Sequence, residues 1–350
     1  MKRCKTQMIK GGSFVILDSK LRELVQAARE NSLFYRKIYK NIPLVINDIS
    51  DIPIINPTEF WRATFDRNPV DGVVFRSQDN LGKSHYSTYS KQEWSLMTRI
   101  FARGLAAGPL KRGDRVANLF DSVQLNGDFL LLSESLHRSA IEALHFPLTG
   151  SIKNAEMIEY LKKFQINVLA GPLSTLNRFA SYCLRMGATE KTLGCSIEQI
   201  LFGSELFDEK KTDPLCALFP NAMIHSIGYA NPQIGLIGYS DSSCSTREYR
   251  IFSEATWIEL IDPVSLEPIH EAGQPGRLLT TQLFRNWTPV IRYPTGEWAE
   301  WVDAPHIHDR KFRRLGDSEL GSKPRTRYPS QERFQSDSHY LRGAEQFAGK

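Results

Sequence analysis

The chain has no C-x-x-C pair, no cysteine–histidine spacing of a zinc site and no internal repeat. Its five cysteines, Cys4, Cys183, Cys195, Cys216 and Cys244, are odd in number and scattered singly. That pattern predicts reduced thiols in a cytoplasmic protein and excludes a disulfide framework. No stretch approaches the roughly 18 consecutive apolar residues that a membrane span needs. The basic start, MKRCKTQMIKGGSFVILDSK, has only residues 14–17 as a continuous apolar run, too short for the core of a secretory signal. A surplus of one charge is lacking too: 44 basic residues face 39 acidic ones, so the net +5 is small and spread along the chain. That balance gives no footing for nucleic acid or a membrane surface, and is compatible with a small anionic ligand.

What is present is an ordinary globular composition. With 350 residues, 41% hydrophobic and 24% charged, the chain can bury one large core or two modest ones. Residues 19–40 read as a helix with Leu21, Leu24, Val25 and Ala28 on one face and Ser19 or Asp18 as cap. Prolines at 43, 53 and 57 predict an extended wrap after it. Another helix is predicted over 91–107, stopped by Gly108-Pro109.

From about residue 114 short strands alternate with helices: RVANLF, then NGDFLLLSESLHRSAIEAL; HFPL, then NAEMIEYLKKFQ; INVLAG, then LSTLNRFASYCLRM; IEQILFG, then FDEKKTDPLCALF; and AMIHSIGY. This rhythm predicts an α/β fold, a mainly parallel sheet with crossover helices on both faces. After about 245 the texture changes to YRIFSE, WIELIDP, GRLLTTQLF, PVIRY and WAEWVD, joined by Gly/Pro turns. That predicts a β-rich subdomain, a twisted antiparallel sheet or half-barrel. The expected layout is a helical start over 1–60, an α/β core over 70–240 and the β-rich part over 245–305. One large domain would then end at 310, with a polar, poorly ordered remnant over 311–350.

Five pieces in this order resemble the phenylacetate–coenzyme A ligase-like branch of the adenylate-forming (AMP-binding) superfamily, over roughly residues 20–320. They are LRELVQAARENSLFYRKIY, HFPLTGSIKNAEMIEYLKKFQINVLAGPLSTLNRFA, ILFGSELF, HSIGYANPQIG and GRLLTTQLFRNWTPVIRYPTGE. The resemblance implies the large N-terminal domain of such enzymes, which join a carboxylic acid to the α-phosphate of ATP and usually pass the acyl group to a thiol. Short relatives of this branch include adenylating proteins of phenazine-antibiotic pathways, so an aromatic acid and antibiotic biosynthesis are implied. The family's lid, with its catalytic lysine, would follow the hinge at residues 316–320; a tail of 30 residues without that pattern is expected to lack it. The implied partners are ATP or AMP, a small acid and an acceptor thiol or carrier protein, with a homodimer possible. The alternative is a degenerate member that binds a nucleotide or aryl acid as a scaffold subunit.

The resemblance also implies roles residue by residue, each beside a plainer reading. Glu297, after PTG, would grip the ribose hydroxyls, or is an acidic turn residue; its removal is expected to abolish nucleotide binding and spare the fold. Gly203, Ser204 and Glu205 would border adenine and the acid, or form a strand–helix turn. Tyr229, Ala230 and Asn231 would stack and line the nucleotide. The family's phosphate-binding Thr and metal-binding Glu are here Pro232 and Gln233, so Gln233 could offer Mg²⁺ only a neutral carbonyl oxygen and no metal ligand is assigned. Ser77, Gly82 and Lys83 fit the phosphate loop, with Asp79 placing a negative charge there and Asn80 and Ser84 available as donors, or the stretch is a solvated loop. Arg314 would reach the ribose. His145, Phe202 and Phe207, with Trp287, would wall the acid pocket, though core packing is the plainer place for His145. His306 and His308 read as strand-edge residues, and Cys195 lacks a base to make it a nucleophile.

Overall fold

The computed structural model describes residues 19–43, 46, 48–63, 71–78, 84–203, 205–209, 212–305, 307–316 and 319–320. The predicted stripe of Leu21, Leu24, Val25 and Ala28 is buried on α1 (Ser19–Asn31). The helix expected to run to residue 40 breaks at Ser32, whose extended backbone and side-chain oxygen cap α2 (Leu33–Ile38) by accepting from Tyr35 N at 3.4 Å. Tyr35 donates its hydroxyl to the Pro289 carbonyl at 2.8 Å, fastening this opening to the late part of the chain. The expected wrap also contains a 3-10 turn at Ile49–Asp51 and α3 (Pro57–Arg62). Proline costs no hydrogen bond at the first helical position, and Asn56 Oδ1 accepts from Thr58 N and Glu59 N, so Pro57 starts a helix here.

A hairpin that the sequence reading did not anticipate follows, with β1 (Gly72–Gln78) antiparallel to β2 (Ser84–Ser90). Ser77 stands opposite His85 in it. Asp79, Asn80, Gly82 and Lys83 of the expected phosphate loop connect the two strands and lie outside the described residues. Ser90 and Glu93 form a reciprocal capping box on α4 (Lys91–Ala107), which ends at Gly108 as predicted.

The alternating region forms a five-stranded parallel sheet. Its elements are β3 (Arg115–Asn118), α5 (Asp128–Arg138), β4 (Leu144–Pro147), α6 (Asn154–Phe164), β5 (Val168–Gly171), α7 (Leu173–Arg185), α8 (Glu190–Leu193), β6 (Gln199–Phe202), α9 (Asp213–Leu218) and β7 (Met223–Ser226). The strand order is β4-β3-β5-β6-β7. Successive side chains leave opposite faces. Val116, Val168, Ala170 and Leu201 enter the core shared with α4 and α5. Ala117, Leu169, Ile200 and Phe202 enter a second core with α6, α7 and α9. Both faces are covered, which is why these strands are apolar without alternation.

The change of texture comes earlier than 245. The expected strand AMIHSIGY splits after Ser226, and Ile227-Gly228 carries the chain from the parallel sheet to an antiparallel one. Gly228 has a φ of +127°, and a Cβ there would press on the Phe101 ring at 3.0 Å. The second sheet contains β8 (Tyr229–Asn231), β9 (Gly235–Tyr239), β10 (Glu248–Ile251), β11 (Thr256–Ile261), β12 (Gly276–Gln282), β13 (Tyr293–Trp301) and β14 (Lys311–Leu315). Its order is β11-β12-β13-β14-β10-β9-β8, with every pair antiparallel. Two corrections follow. PVIRY and WAEWVD are not separate strands, since one strand runs from Tyr293 to Trp301. The boundary expected at 310 is not an end of structure, because β14 pairs with both β13 and β10 inside the sheet. Among the described residues no helix is long and apolar enough to cross a membrane.

Candidate active site

Gly203 ends β6 at the carboxyl edge of the parallel sheet, the edge at which open α/β sheets bind ligands. Because only two residues separate β7 from β8, Tyr229 enters the second sheet beside that edge. A Cβ on Gly203 would lie 2.9 Å from the Phe120 ring, so the close approach there requires glycine. Ser204 lies outside the described residues. Glu205 is half-buried, and its Oε2 accepts from Leu173 N at 2.8 Å. It thereby supplies α7 with the N-terminal acceptor that Pro172 lacks.

The acid after PTG meets this edge. Gly296 has a φ of +87°, and the register between β12 and β13 shifts across Arg277 to Leu279, opposite this turn. Thr295 Oγ1 accepts from Glu297 N at 3.2 Å and donates to Leu278 O at 3.1 Å, which fixes the turn. The Glu297 carboxylate then accepts three hydrogen bonds: Tyr229 donates its hydroxyl to Oε2 at 2.8 Å, while Arg314 donates Nε to Oε2 and Nη2 to Oε1, each at 2.7 Å. Arg314 Nη1 also reaches the Glu205 carbonyl at 3.3 Å. Its guanidinium carbon lies 4.3 Å from the centre of the Tyr229 ring.

The Arg314 side chain is 4% exposed and that of Glu297 33%, so the anion covers the cation on its water side. Burial alone would lower the Arg314 pKa, but the Glu297 charge, with Tyr229 and Tyr249 adding to it, leaves it raised. Tyr229 is held well above its ordinary value by burial first and by Glu297 second, so it keeps its proton and donates. The structure therefore brings Glu205, Tyr229, Glu297 and Arg314 together. It differs from the expectation of a carboxylate with both oxygens open to a diol: of roughly four acceptor positions three are engaged.

The turn after Tyr229 is tied down through its backbone. Asn231 Oδ1 accepts from Gln233 N at 2.8 Å. Ser87 Oγ donates to the Pro232 carbonyl at 3.2 Å or the Gln233 carbonyl at 3.3 Å. Arg285, wholly buried, donates to the Gln233 carbonyl as well, and also to Ser87 Oγ at 3.0 Å and Thr88 O at 3.2 Å. Its guanidinium carbon lies 4.1 Å from the Tyr89 ring centre. Sequence reasoning missed Arg285; its only signal was a lone charge in the otherwise uncharged stretch TTQLFRNW.

Beside these residues a narrow cavity opens between the sheet edge and α5. Gly203, Ala230, Ile227 and Gly228 form one wall, Leu131 and Leu132 another, with Phe101 and Phe120 between them. Asp128 is the single carboxylate in it. Burial, reinforced by the Glu205 charge, pushes the Asp128 pKa up to about 6.

The expected wall residues are elsewhere. Phe202 points to the opposite face from Leu201, is fully buried, and packs with Phe207 at 5.2 Å between ring centres. His145 is paired in register with Val116 on β4, away from the cavity lining, and its pKa is lowered by burial. Trp287 donates its backbone N–H to Glu93 Oε1 at 3.0 Å and does not line the cavity either. Strand parity decides this: residues one apart face opposite sides, and a motif match does not say which side faces the ligand. Among the described residues no group of three or more His, Cys, Asp or Glu could hold a metal ion.

No protein-family profile matches the chain. It is 24% identical over 299 residues to a phenylacetate-coenzyme A ligase of Thermus thermophilus, a match covering 80% of this chain. The match spans 64% of that relative's length. Among solved structures, an open conformation of 2-hydroxyisobutyryl-CoA ligase in complex with 2-HIB-AMP and CoA superposes with a TM-score of 0.70 at 17% identity, over 85% of this chain and 71% of the other. ATP-bound MatB from Rhodopseudomonas palustris superposes with a TM-score of 0.51 at 13% identity, over 73% of this chain and 50% of that one. These structural likenesses are likenesses of fold.

Proposed function

We propose that this chain, which has the α/β fold of the adenylate-forming superfamily and resembles its phenylacetate–coenzyme A ligase-like branch, activates a small carboxylic acid with ATP. The acid oxygen attacks the α-phosphorus and pyrophosphate leaves with the broken P–O bond; a thiolate sulfur then attacks the acyl carbon, and AMP leaves with the broken acyl–oxygen bond. The observation that carries this reading is the joining of Glu297, Arg314 and Tyr229 at the carboxyl edge of the parallel sheet, next to an apolar cavity. In this reading adenosine lies between the Gly203–Glu205 bend and the second sheet, and the remaining acceptor position of Glu297 takes a ribose hydroxyl. Tyr229 and Arg314 position that carboxylate. Ser77, Gly82 and Lys83 face the phosphates, and Ala230 and Asn231 line the approach.

The cavity's apolar lining favours an apolar acid. It encloses only about 20 Å³, room for a water molecule and not for a ring, so an acid enters by parting its walls, where Phe101 and Phe120 favour an aromatic one. Mg²⁺, when bound, would offset phosphate charge, but the protein offers it only the neutral Gln233 amide at the turn where relatives of this fold place a carboxylate. Catalysis by the chain's own residues therefore rests on positioning and on donors to the phosphates. The use of an aromatic acid in antibiotic biosynthesis belongs to this same proposal.

Pro232 and Gln233 favour a second reading, a nucleotide or aryl-acid binder without turnover. Pyrophosphate exchange into ATP over a panel of aryl and short acyl acids separates the two. Exchange with any acid supports the ligase; thermal stabilisation by AMP or ATP without exchange supports the binder. Neither exchange nor stabilisation would remove both.

A further inference from the structure

The Glu297 carboxylate is occupied unevenly. Each carboxylate oxygen has two acceptor positions, roughly four in all. Both positions of Oε2 are filled, by the Tyr229 hydroxyl at 2.8 Å and by Arg314 Nε at 2.7 Å. Among the described residues Oε1 accepts only from Arg314 Nη2, at 2.7 Å. Arg314 therefore binds as a fork, with one N–H on each oxygen. Such a fork takes the pair of positions, one per oxygen, that a vicinal diol needs in order to reach both oxygens at once.

A sugar does not displace the fork. The Arg314 side chain is 4% exposed, its Nη1 reaches the Glu205 carbonyl at 3.3 Å, and its guanidinium carbon lies 4.3 Å from the Tyr229 ring centre. Moving it would leave a buried cation without its anion. The Tyr229 side of the carboxylate is closed as well, because that residue is buried. What remains is one position on Oε1, on a side chain that keeps 33% of its surface open. A site that hydrogen-bonds a hydroxyl rejects the analogue lacking it, because its own polar group is then left unpaired. A hydroxyl that meets no partner adds no discrimination.

Resting on the reading that Glu297 meets the ribose, we propose that the site grips one of the two sugar hydroxyls and leaves the other unread. The gripped hydroxyl donates to Glu297 Oε1. Tyr229 and Arg314 stand where a second one would have to bind. An adenosine nucleotide lacking the unread hydroxyl is then as good a ligand as the ribonucleotide, and one lacking the gripped hydroxyl is a poor ligand.

The test is calorimetric titration of the full chain with AMP, 2′-deoxy-AMP and 3′-deoxy-AMP. One deoxynucleotide should bind within twofold of AMP and the other at least tenfold more weakly. Glu297→Gln keeps the shape of the side chain and can keep its oxygen on Arg314, but it replaces the charged acceptor with a neutral amide. It should shrink the tenfold penalty at least threefold; if this variant fails to fold, the wild-type titrations decide alone. A tenfold loss with both deoxynucleotides, a loss with neither, or a penalty unchanged in Glu297→Gln overturns the proposal. The failures are distinguishable. Absence of AMP binding would remove the nucleotide reading itself, whereas AMP binding that requires both hydroxyls would remove only the single-hydroxyl grip.

Discussion

Two carboxylates lie at the same sheet edge under opposite conditions. Glu297 accepts three hydrogen bonds, two of them from a buried arginine. Asp128 is partly exposed and lines the cavity among phenylalanine and leucine side chains. The first is held in one geometry before any ligand arrives, as a positioning group must be. The second is partly open to water, and burial by its apolar neighbours raises its pKa. The difference, one carboxylate locked by donors and the other governed by burial, can be attacked at each site by itself.

The largest expected effect comes from breaking the paired site. Glu297→Ala takes from the buried Arg314 guanidinium the carboxylate that accepts two of its hydrogen bonds, a loss of about 3 kcal/mol in urea unfolding. The sequence reading expects this change to spare the fold, and the Arg314 contact predicts a cost to stability as well. Adding Arg314→Met should recover most of the stability while AMP binding stays lost, because a buried pair replaced by carbon costs little. Stability that does not recover in the double variant would show that Glu297 holds the sheet by other means.

Neutralising Asp128 should have the opposite sign. The folded-state pKa of Asp128, near 6, is above its ordinary value of 3.8, so the fold prefers the protonated acid. Stability from that preference is complete below about pH 4 and is lost as pH rises through about 6. The α5 N-terminus favours the charge and Glu205 opposes it, with burial the larger influence. Asp128→Asn should thus match the wild type near pH 4 and exceed it by about 2 kcal/mol above pH 7, after allowance for water at the cavity mouth. A gap independent of pH, measured by urea unfolding from pH 4 to 8, would refute the titration.

How much of this was legible before the fold was known follows the range of the interactions. The helix over 91–107 with its stop at Gly108, the stripe on α1 and the alternation from β3 to β7 are local patterns, and they were read nearly in place. Tyr229, Glu297 and Arg314 came from a resemblance of motifs, and the structure brings the three together. Strand parity turns Phe202 into the second core while Gly203 lines the cavity, a distinction that a motif match does not carry. Asp128 and Arg285 were missed because their meaning is tertiary: one is a helix-start acid turned inward, the other a cation whose partners are 197 and 198 residues away along the chain. The hairpin around the phosphate loop was missed for want of a clear alternation between Gly72 and Ser90.

Lys83 extends the comparison to the phosphates. A point charge that meets the β- and γ-phosphates is worth more to ATP than to AMP. Lys83→Ala should weaken ATP about tenfold and leave AMP within about twofold, a difference near 1.4 kcal/mol. Titration of both nucleotides against both proteins reads it, and equal losses would take Lys83 out of the phosphate site.

The smallest effect is expected at Gln233, where a neutral amide stands in a turn pinned through its backbone by Ser87, Arg285 and Asn231. Because the backbone and not the side chain makes those contacts, Gln233→Glu should leave the fold unchanged. The added carboxylate gives a divalent cation an oxygen with full charge, while in the absence of metal it repels the triphosphate. ATP binding should therefore tighten about threefold with Mg²⁺ and weaken by a similar factor in EDTA, a crossing of the two titrations near 0.6 kcal/mol on either side. Parallel shifts in both conditions would mean that the side chain faces neither metal nor phosphate, and would strengthen the reading in which this turn only shapes the wall beside Tyr229.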